Sequence, residues 1–264
     1  GLDSTAALLC SVNAMKMAAL PIENIIAVTM PCFGTGSRTY SNANRLMQAL
    51  GVTRMEIDIK ASVLSHFRDL GITSDEQGSV YENAQARERA QVLMDIANMH
   101  NGLVVGTGDL SEAALGFCTF GGDTLCHYNV NATIPKTVIR EMVKNIAENS
   151  ESEELKRVLL DIVDTPISPE LRLGQKTEEI IGPYELHDFF IFFFAKRRNS
   201  YTEIKNYALA VFEEYDEAEI VKWLDVFYAR YRAAQFKRSN SYEGANLIGF
   251  TLPYVPADIG FDFA

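Results

Sequence analysis

Cysteine, tryptophan, positive charge and long apolar runs are all scarce in this chain. Its four cysteines, Cys10, Cys32, Cys118 and Cys126, include no CxxC pair, so a disulfide scaffold is not expected. No secretory h-region is present, and the expected compartment is reducing and cytoplasmic. The most apolar run, FFIFFFA at 189–195, falls far short of the about 20 residues that span a bilayer. It reads as buried helix, and no membrane partner is expected. Lys plus Arg number 24 against 35 Asp plus Glu, a formal net charge of −11, with no long basic stretch to offset it. Such a field disfavours non-specific nucleic-acid binding. The short cationic patches AKRR (195–198) and FKR (236–238) remain compatible with a phosphate-bearing small molecule. Internal repeats and low-complexity linkers are missing too, so 264 residues read as one large domain with a helical appendage.

What is present is an alternation of short apolar runs and helix-forming stretches. Helices are expected over 5–19, 41–50 and 79–100, and strands over 25–30 (IIAVTM), 54–59 (RMEIDI) and 103–106 (LVVG). This rhythm predicts an α/β fold with a parallel sheet covered by helices on both faces. From 136 onward only helices are expected, around 152–162, 184–196, 201–214 and 217–236. A sheet-bearing part at about 1–135 is thus followed by a helical part at about 136–238. The Gly-, Pro- and Tyr-rich stretch 239–264 reads as an extended tail.

The opening residues GLDST stand where a strand should feed the first helix. They read as a strand-to-helix turn cut through its middle, and the expectation is that the feeding strand precedes Gly1 in a longer protein. Such turns bind nucleotides, because free N–H groups and the positive end of the helix dipole face the ligand. Gly1 permits close backbone approach, Ser4 and Thr5 offer hydroxyl donors to phosphate, and Asp3 offers a carboxylate to a magnesium ion. From these five residues alone, Asp3 or Ser4 reads equally well as a simple helix cap.

GLDST resembles the end of the SGGxDS pyrophosphate loop of the ATP pyrophosphatases, without its leading Ser-Gly. Four further blocks follow in order: ENAQARER (82–89), LVVGTGDLSEAALGFCTFGGDTLCHYNVNATIPKT (103–137), GPYELHDFF (182–190) and QFKR (235–238). Together they resemble the NAD synthetase family, in particular the synthetase part of its bacterial glutamine-dependent form, over nearly all of the chain up to Arg238. The resemblance implies the adenine nucleotide alpha hydrolase-like (Rossmann-like) fold, a preceding nitrilase-like glutaminase domain, and a homo-oligomer. It also implies a reaction in which ATP adenylates the nicotinate carboxylate of deamido-NAD. Ammonia, drawn from glutamine in the full-length protein, then displaces AMP to give NAD, with Mg2+ stabilising the departing pyrophosphate.

The resemblance implies catalytic roles for Asp3, Glu112 and Lys136, with Asp3 and Glu112 also holding the metal. Gly1, Leu2, Asp3, Ser4 and Thr5 would cradle the pyrophosphate portion of ATP, with Thr107, Lys136 and Ser168 as further ATP contacts; Arg38 is expected on ATP from its own position, after the strand 25–30, where a base or ribose would lie at the sheet edge. For deamido-NAD it implies Asn83 and Arg87, four apart on one helical face, together with Glu112 and Lys237. Phe117, Cys118, Thr119, Phe120, Asp123 and His127 would supply the loop around the dinucleotide. Read as residues, several have plainer roles open to them. Glu112 fits a capping box with a helix begun near Asp109, Lys136 a solvated surface lysine, His127 a polar loop residue, and Lys237 a basic helix end. No thiol is needed by this chemistry, and Cys32 reads as a tolerated substitution. Among rival readings, a GMP synthetase shares the loop but lacks YNVNATIPKT, and a tRNA-thiolating enzyme would want a basic surface. A non-catalytic ATP sensor would not need the carboxylate pair.

Overall fold

The computed structural model describes residues 1–73, 78–169, 171, 172, 174, 176–239 and 243–252; the expected tail over 240–242 and 253–264 lies outside them. The first part runs α1 (Leu2–Met17), β1 (Ile26–Thr29), α2 (Ser37–Leu50), β2 (Thr53–Glu56), α3 (Lys60–Leu70), α4 (Ser79–Met99), β3 (Val105–Gly106), α5 (Leu110–Leu115) and β4 (Tyr128–Asn129). The second runs α6 (Lys136–Glu148), α7 (Glu153–Val163), α8 (Thr177–Ile181), α9 (Tyr184–Ile191), α10 (Tyr201–Val211), α11 (Glu217–Ala233) and α12 (Gln235–Arg238). A π-helical turn, Phe192–Lys196, extends α9. Several helix starts are set by their own side chains. Ser152 caps α7, and Ser200 with Glu203 and Asp216 with Glu219 form capping boxes on α10 and α11.

The strands are parallel, as the alternation predicts. Ile26 pairs with Thr53 through Thr29 with Glu56, and Val105 with Tyr128 through Gly106 with Asn129. They form two separate pairs among the described residues rather than one continuous sheet. β3 is shorter than the expected 103–106 because the Val104 N–H is taken by His127 Nδ1 at 2.9 Å instead of by a neighbouring strand. Gly106 is required where it stands, since a Cβ there would lie 2.4 Å from Cys126 Sγ. Beyond α12, Gly244 bridges to Asn129.

The first helix corrects the reading of GLDST. α1 begins at Leu2, with Gly1 as its N-cap, so Leu2 to Thr5 form the first helical turn rather than a loop. The Ser4 and Thr5 hydroxyls donate back to Gly1 O at 3.0 and 2.9 Å, and Leu2 is buried among Ala6, Leu46, Ile139 and Leu159. That cluster gathers α1, α2, α6 and α7. A second, larger cluster gathers Leu115, Ile181, Phe190, Leu224, Phe227 and Tyr231 from α5, α8, α9 and α11. The two meet where α1, α5 and α6 begin.

Candidate active site

Two asparagines from the NVNA segment hold the starts of α1 and α5 together. Asn129 Nδ2 donates to Gly108 O at 2.7 Å, and its Oδ1 accepts the Asn131 N–H. Asn131 Nδ2 donates to both Asp3 O at 2.9 Å and Thr107 O at 3.0 Å. The half-buried turn at Thr107 is thereby fixed against the first turn of α1. Asp109 then caps α5, accepting the Glu112 N–H at 2.7 Å, while Glu112 Oε2 accepts the Asp109 N–H at 3.4 Å. The capping-box reading of Glu112 is therefore right, and it leaves Oε1 free for a second task.

That task is Lys136, the first residue of α6. Its ammonium lies 2.7 Å from Asp3 Oδ2, 2.8 Å from Asp109 Oδ2 and 2.9 Å from Glu112 Oε1, with the Tyr184 ring centroid at 5.4 Å. Lys136 and Asp109 are wholly buried, and the side chains of Asp3 and Glu112 are 21% and 19% exposed. Burial opposes the ammonium charge, but Asp109, Glu112 and Asp3 outweigh it and hold Lys136 protonated well above the ordinary lysine range. Burial lifts Glu112 to about 7 and Asp109 well above the carboxylate range, with Lys136 opposing both shifts.

Three acidic side chains surround one ammonium. One oxygen each from Asp3, Asp109 and Glu112 can be drawn from within 4.8 Å of one another. Asp3 Oδ1 is buried without a hydrogen-bond partner. A hard divalent cation takes oxygen ligands of this kind, so the residues fit the magnesium ion implied by the sequence. Asp109 joins Asp3 and Glu112 in that set, although from sequence it reads only as the start of a helix.

The remaining expected site residues divide into two neighbourhoods. Around the loop after α5, Thr119 Oγ1 donates to Asn83 Oδ1 at 2.9 Å and the Arg87 guanidinium to Phe120 O at 3.3 Å. Asp123 Oδ1 accepts the Thr119 N–H at 2.6 Å. Phe117 lies under the Arg230 guanidinium, and the exposed Phe120 ring leans on Phe236. Burial pushes the Cys118 thiol up to about 12, which leaves it without nucleophilic thiolate. His127 Nδ1 accepts the Val104 N–H, which fixes its ring in the loop. Ser168 is half-buried in the segment between α7 and α8.

Three of the cations expected at the site have protein partners in the structure. Lys136, expected against ATP phosphate, is fully enclosed by carboxylates. Lys237, expected on the dinucleotide, donates to Gly116 O, which ends α5 and lacks a helical partner, and to Cys118 O in the following loop, at 2.7 and 2.6 Å. Arg38, expected on the nucleotide, reaches across to α7, where Asp161 Oδ1 lies 2.7 Å away and Asn42 shares the same carboxylate. Sequence reasoning also missed Ser111, Asn129, Asn131, Tyr184 and Asp188, although all five lie inside motifs singled out above.

The parallel strand pairs and the helices packed around them form an α/β fold of the adenine nucleotide alpha hydrolase-like class. The solved glutamine-dependent NAD(+) synthetase from Cytophaga hutchinsonii shares this fold with a TM-score of 0.76 at 18% identity, over 97% of this chain and 48% of that one. The family model for NAD synthase matches residues 1–240, and the chain belongs to that family. It is 37% identical to the glutamine-dependent NAD(+) synthetase of Mycobacterium leprae over 90% of its own length and 40% of that protein's. It is 34% identical to the NH(3)-dependent NAD(+) synthetase of Aeropyrum pernix, over 69% and 59% of the two chains. The chain thus spans about 40% of the length of the glutamine-dependent relatives. The GMP synthetase alternative finds no support in these matches.

Proposed function

We propose that the protein amidates the nicotinate carboxylate of deamido-NAD at the expense of ATP, releasing AMP and pyrophosphate and forming NAD. The observation that carries this reading is the Asp3–Asp109–Glu112–Lys136 cluster at the converging starts of α1, α5 and α6. A carboxylate is a poor electrophile and must first become an acyl adenylate. The N-terminus of α1 presents its positive dipole end to the anionic ATP phosphates. Magnesium, when held by Asp3, Asp109 and Glu112, would neutralise charge on the departing pyrophosphate.

Lys136 holds the three acids at fixed separation, so the charge needed at that step is already in place. The loop carrying Phe117, Thr119, Phe120 and Asp123, propped by Asn83, Arg87 and Lys237, forms the wall against the dinucleotide. Lys237 and Arg87 act by shaping this loop, and Thr107 and Ser168 are read as further contacts to ATP. Ammonia then attacks the activated carbonyl, and enclosure of the site limits competing hydrolysis. A glutaminase domain as the ammonia source, a homo-oligomer and a cytoplasmic location belong to the same reading. Among the described residues no helix is long and apolar enough to cross a membrane.

The test is to incubate the protein with ATP, Mg2+ and deamido-NAD, with and without ammonium, and to separate the products. The expected outcome is AMP and NAD in equal amounts, with NAD dependent on ammonium. Release of ADP instead of AMP, or amidation of xanthylate in place of deamido-NAD, would overturn the reading.

A further inference from the structure

We propose that Asp188 is a positioning residue that seats Lys136 among Asp3, Asp109 and Glu112, and so sets both the cation affinity and the turnover of the site. The turnover part rests on the function proposed above. α6 begins at Lys136 behind Pro135, whose ring offers no side-chain cap. The first N–H groups of a helix have no intrahelical partners, and here they are satisfied from two other helices. The Lys136 N–H donates to Ser111 Oγ of α5 at 2.9 Å. The Thr137 N–H and hydroxyl donate to Asp188 Oδ2 of α9 at 2.9 and 2.7 Å. The Ser111 hydroxyl in turn donates to Asp188 Oδ1.

Asp188 is buried, at 9% exposure, and both its oxygens serve this junction. One fixes the start of α6, which carries Lys136; the other fixes α5, which carries Asp109 and Glu112. Its negative charge also suits the N-terminus of a 13-residue helix. The ion pairs of 2.7–2.9 Å around the ammonium hold only while the two helices keep this relative placement. Asp188 therefore acts on the cluster through Ser111 and the first turn of α6, without joining it.

Asp188→Asn removes the charge and leaves one oxygen for three donors. Loss of an outer partner of this kind typically lowers metal affinity or activity about 10- to 100-fold. Two readouts are needed. Mn2+ binding without nucleotide, followed by electron paramagnetic resonance, should weaken about 10-fold or more. The ammonium-dependent kcat should fall by a similar factor, while KM for ATP and deamido-NAD stays within about threefold of wild type. A lower melting temperature accompanied by native Mn2+ affinity and native kcat would make the role purely structural and overturn the proposal. Should Asp188→Asn fail to fold, Ser111→Ala breaks the same bridge and carries the same expectation: native Mn2+ affinity in that variant refutes it. If the wild type makes no NAD yet the variants lose Mn2+, the proposed function fails and the positioning role stands.

Discussion

Lys136 is charged and wholly buried, and a buried charge persists only where partners replace its lost hydration. Here the partners are unequal. Asp109 is fully enclosed, whereas Asp3 is partly open to water, so the consequences of removing each member differ in a predictable order. Lys136→Met strands Asp109 and Glu112 without a counter-charge, and the expected loss is about 3–5 kcal/mol, the usual scale for breaking a buried ion pair from one side. Asp3→Asn should destabilise by clearly less, because the ammonium keeps two acidic partners and an amide oxygen in place of Asp3 Oδ2. Urea unfolding followed by the fluorescence of Trp223, the single tryptophan, measures both. A Lys136→Met protein as stable as wild type would show that the ammonium is not what holds the acids together.

The six-residue helix α5 is too short to persist unaided, yet it presents Asp109 and Glu112. Its first turn is closed by those two residues, and its other end is held by cations from α11 and α12. Arg238 donates to Ala113 O and Ala114 O at 3.3 and 3.2 Å, Arg230 to Leu115 O at 3.3 Å, and Lys237 to Gly116 O. Cations at a helix C-terminus also complement its dipole. Gly116 closes the helix at φ +61°, where a Cβ would strike Ala234 Cβ at 2.3 Å. Arg238→Ala should therefore cost about 1.5–3 kcal/mol, the scale of hydrogen bonds to charged groups. Arg38→Ala, which removes a surface ion pair, should leave the urea midpoint nearly unchanged; equal losses from the two would refute the clamp. This element also shows what was legible in the sequence. The parallel strands and the long helices followed from periodicity, and Asp3, Glu112 and Lys136 followed from motifs. The basic end at Lys237 was also visible, but not that it serves the terminus of α5, because the partners stand more than a hundred positions apart. Asp188 lay in plain view in GPYELHDFF without a role, since its role exists only once α5, α6 and α9 meet. β4, at two residues, is too short to carry any period.

Over the whole molecule, charge and burial pull stability in opposite directions as pH falls. The net charge of −11 shrinks toward zero near the sequence pI of about 4.9, which relieves self-repulsion and favours the compact state. His187 opposes this. It is wholly buried on α9 beside Phe190, Trp223 and Phe227; Nε2 donates to Ile181 O at 2.7 Å, and Nδ1 has no hydrogen-bond partner. Burial pushes its pKa down to about 4, against a smaller opposing effect of the Ile181 carbonyl. A base with a lowered folded pKa binds fewer protons folded than unfolded between that value and the ordinary 6.5. The stability it permits is intact above pH 6.5, declines as pH falls, and reaches its full deficit below about pH 4. At 1.36 kcal/mol per pKa unit the deficit is about 1.4 kcal/mol by pH 5.5 and about 3 kcal/mol below pH 4. His187→Phe removes the proton uptake while keeping an aromatic ring in the core, so its absolute stability matters less than its slope. Unfolding free energies measured in urea at pH 7 and pH 5.5 should fall for wild type, relative to the variant, by about 1.2 kcal/mol. If the two proteins change in parallel over that interval, His187 takes up no proton on unfolding there, and the acid limb of the stability curve belongs to other groups.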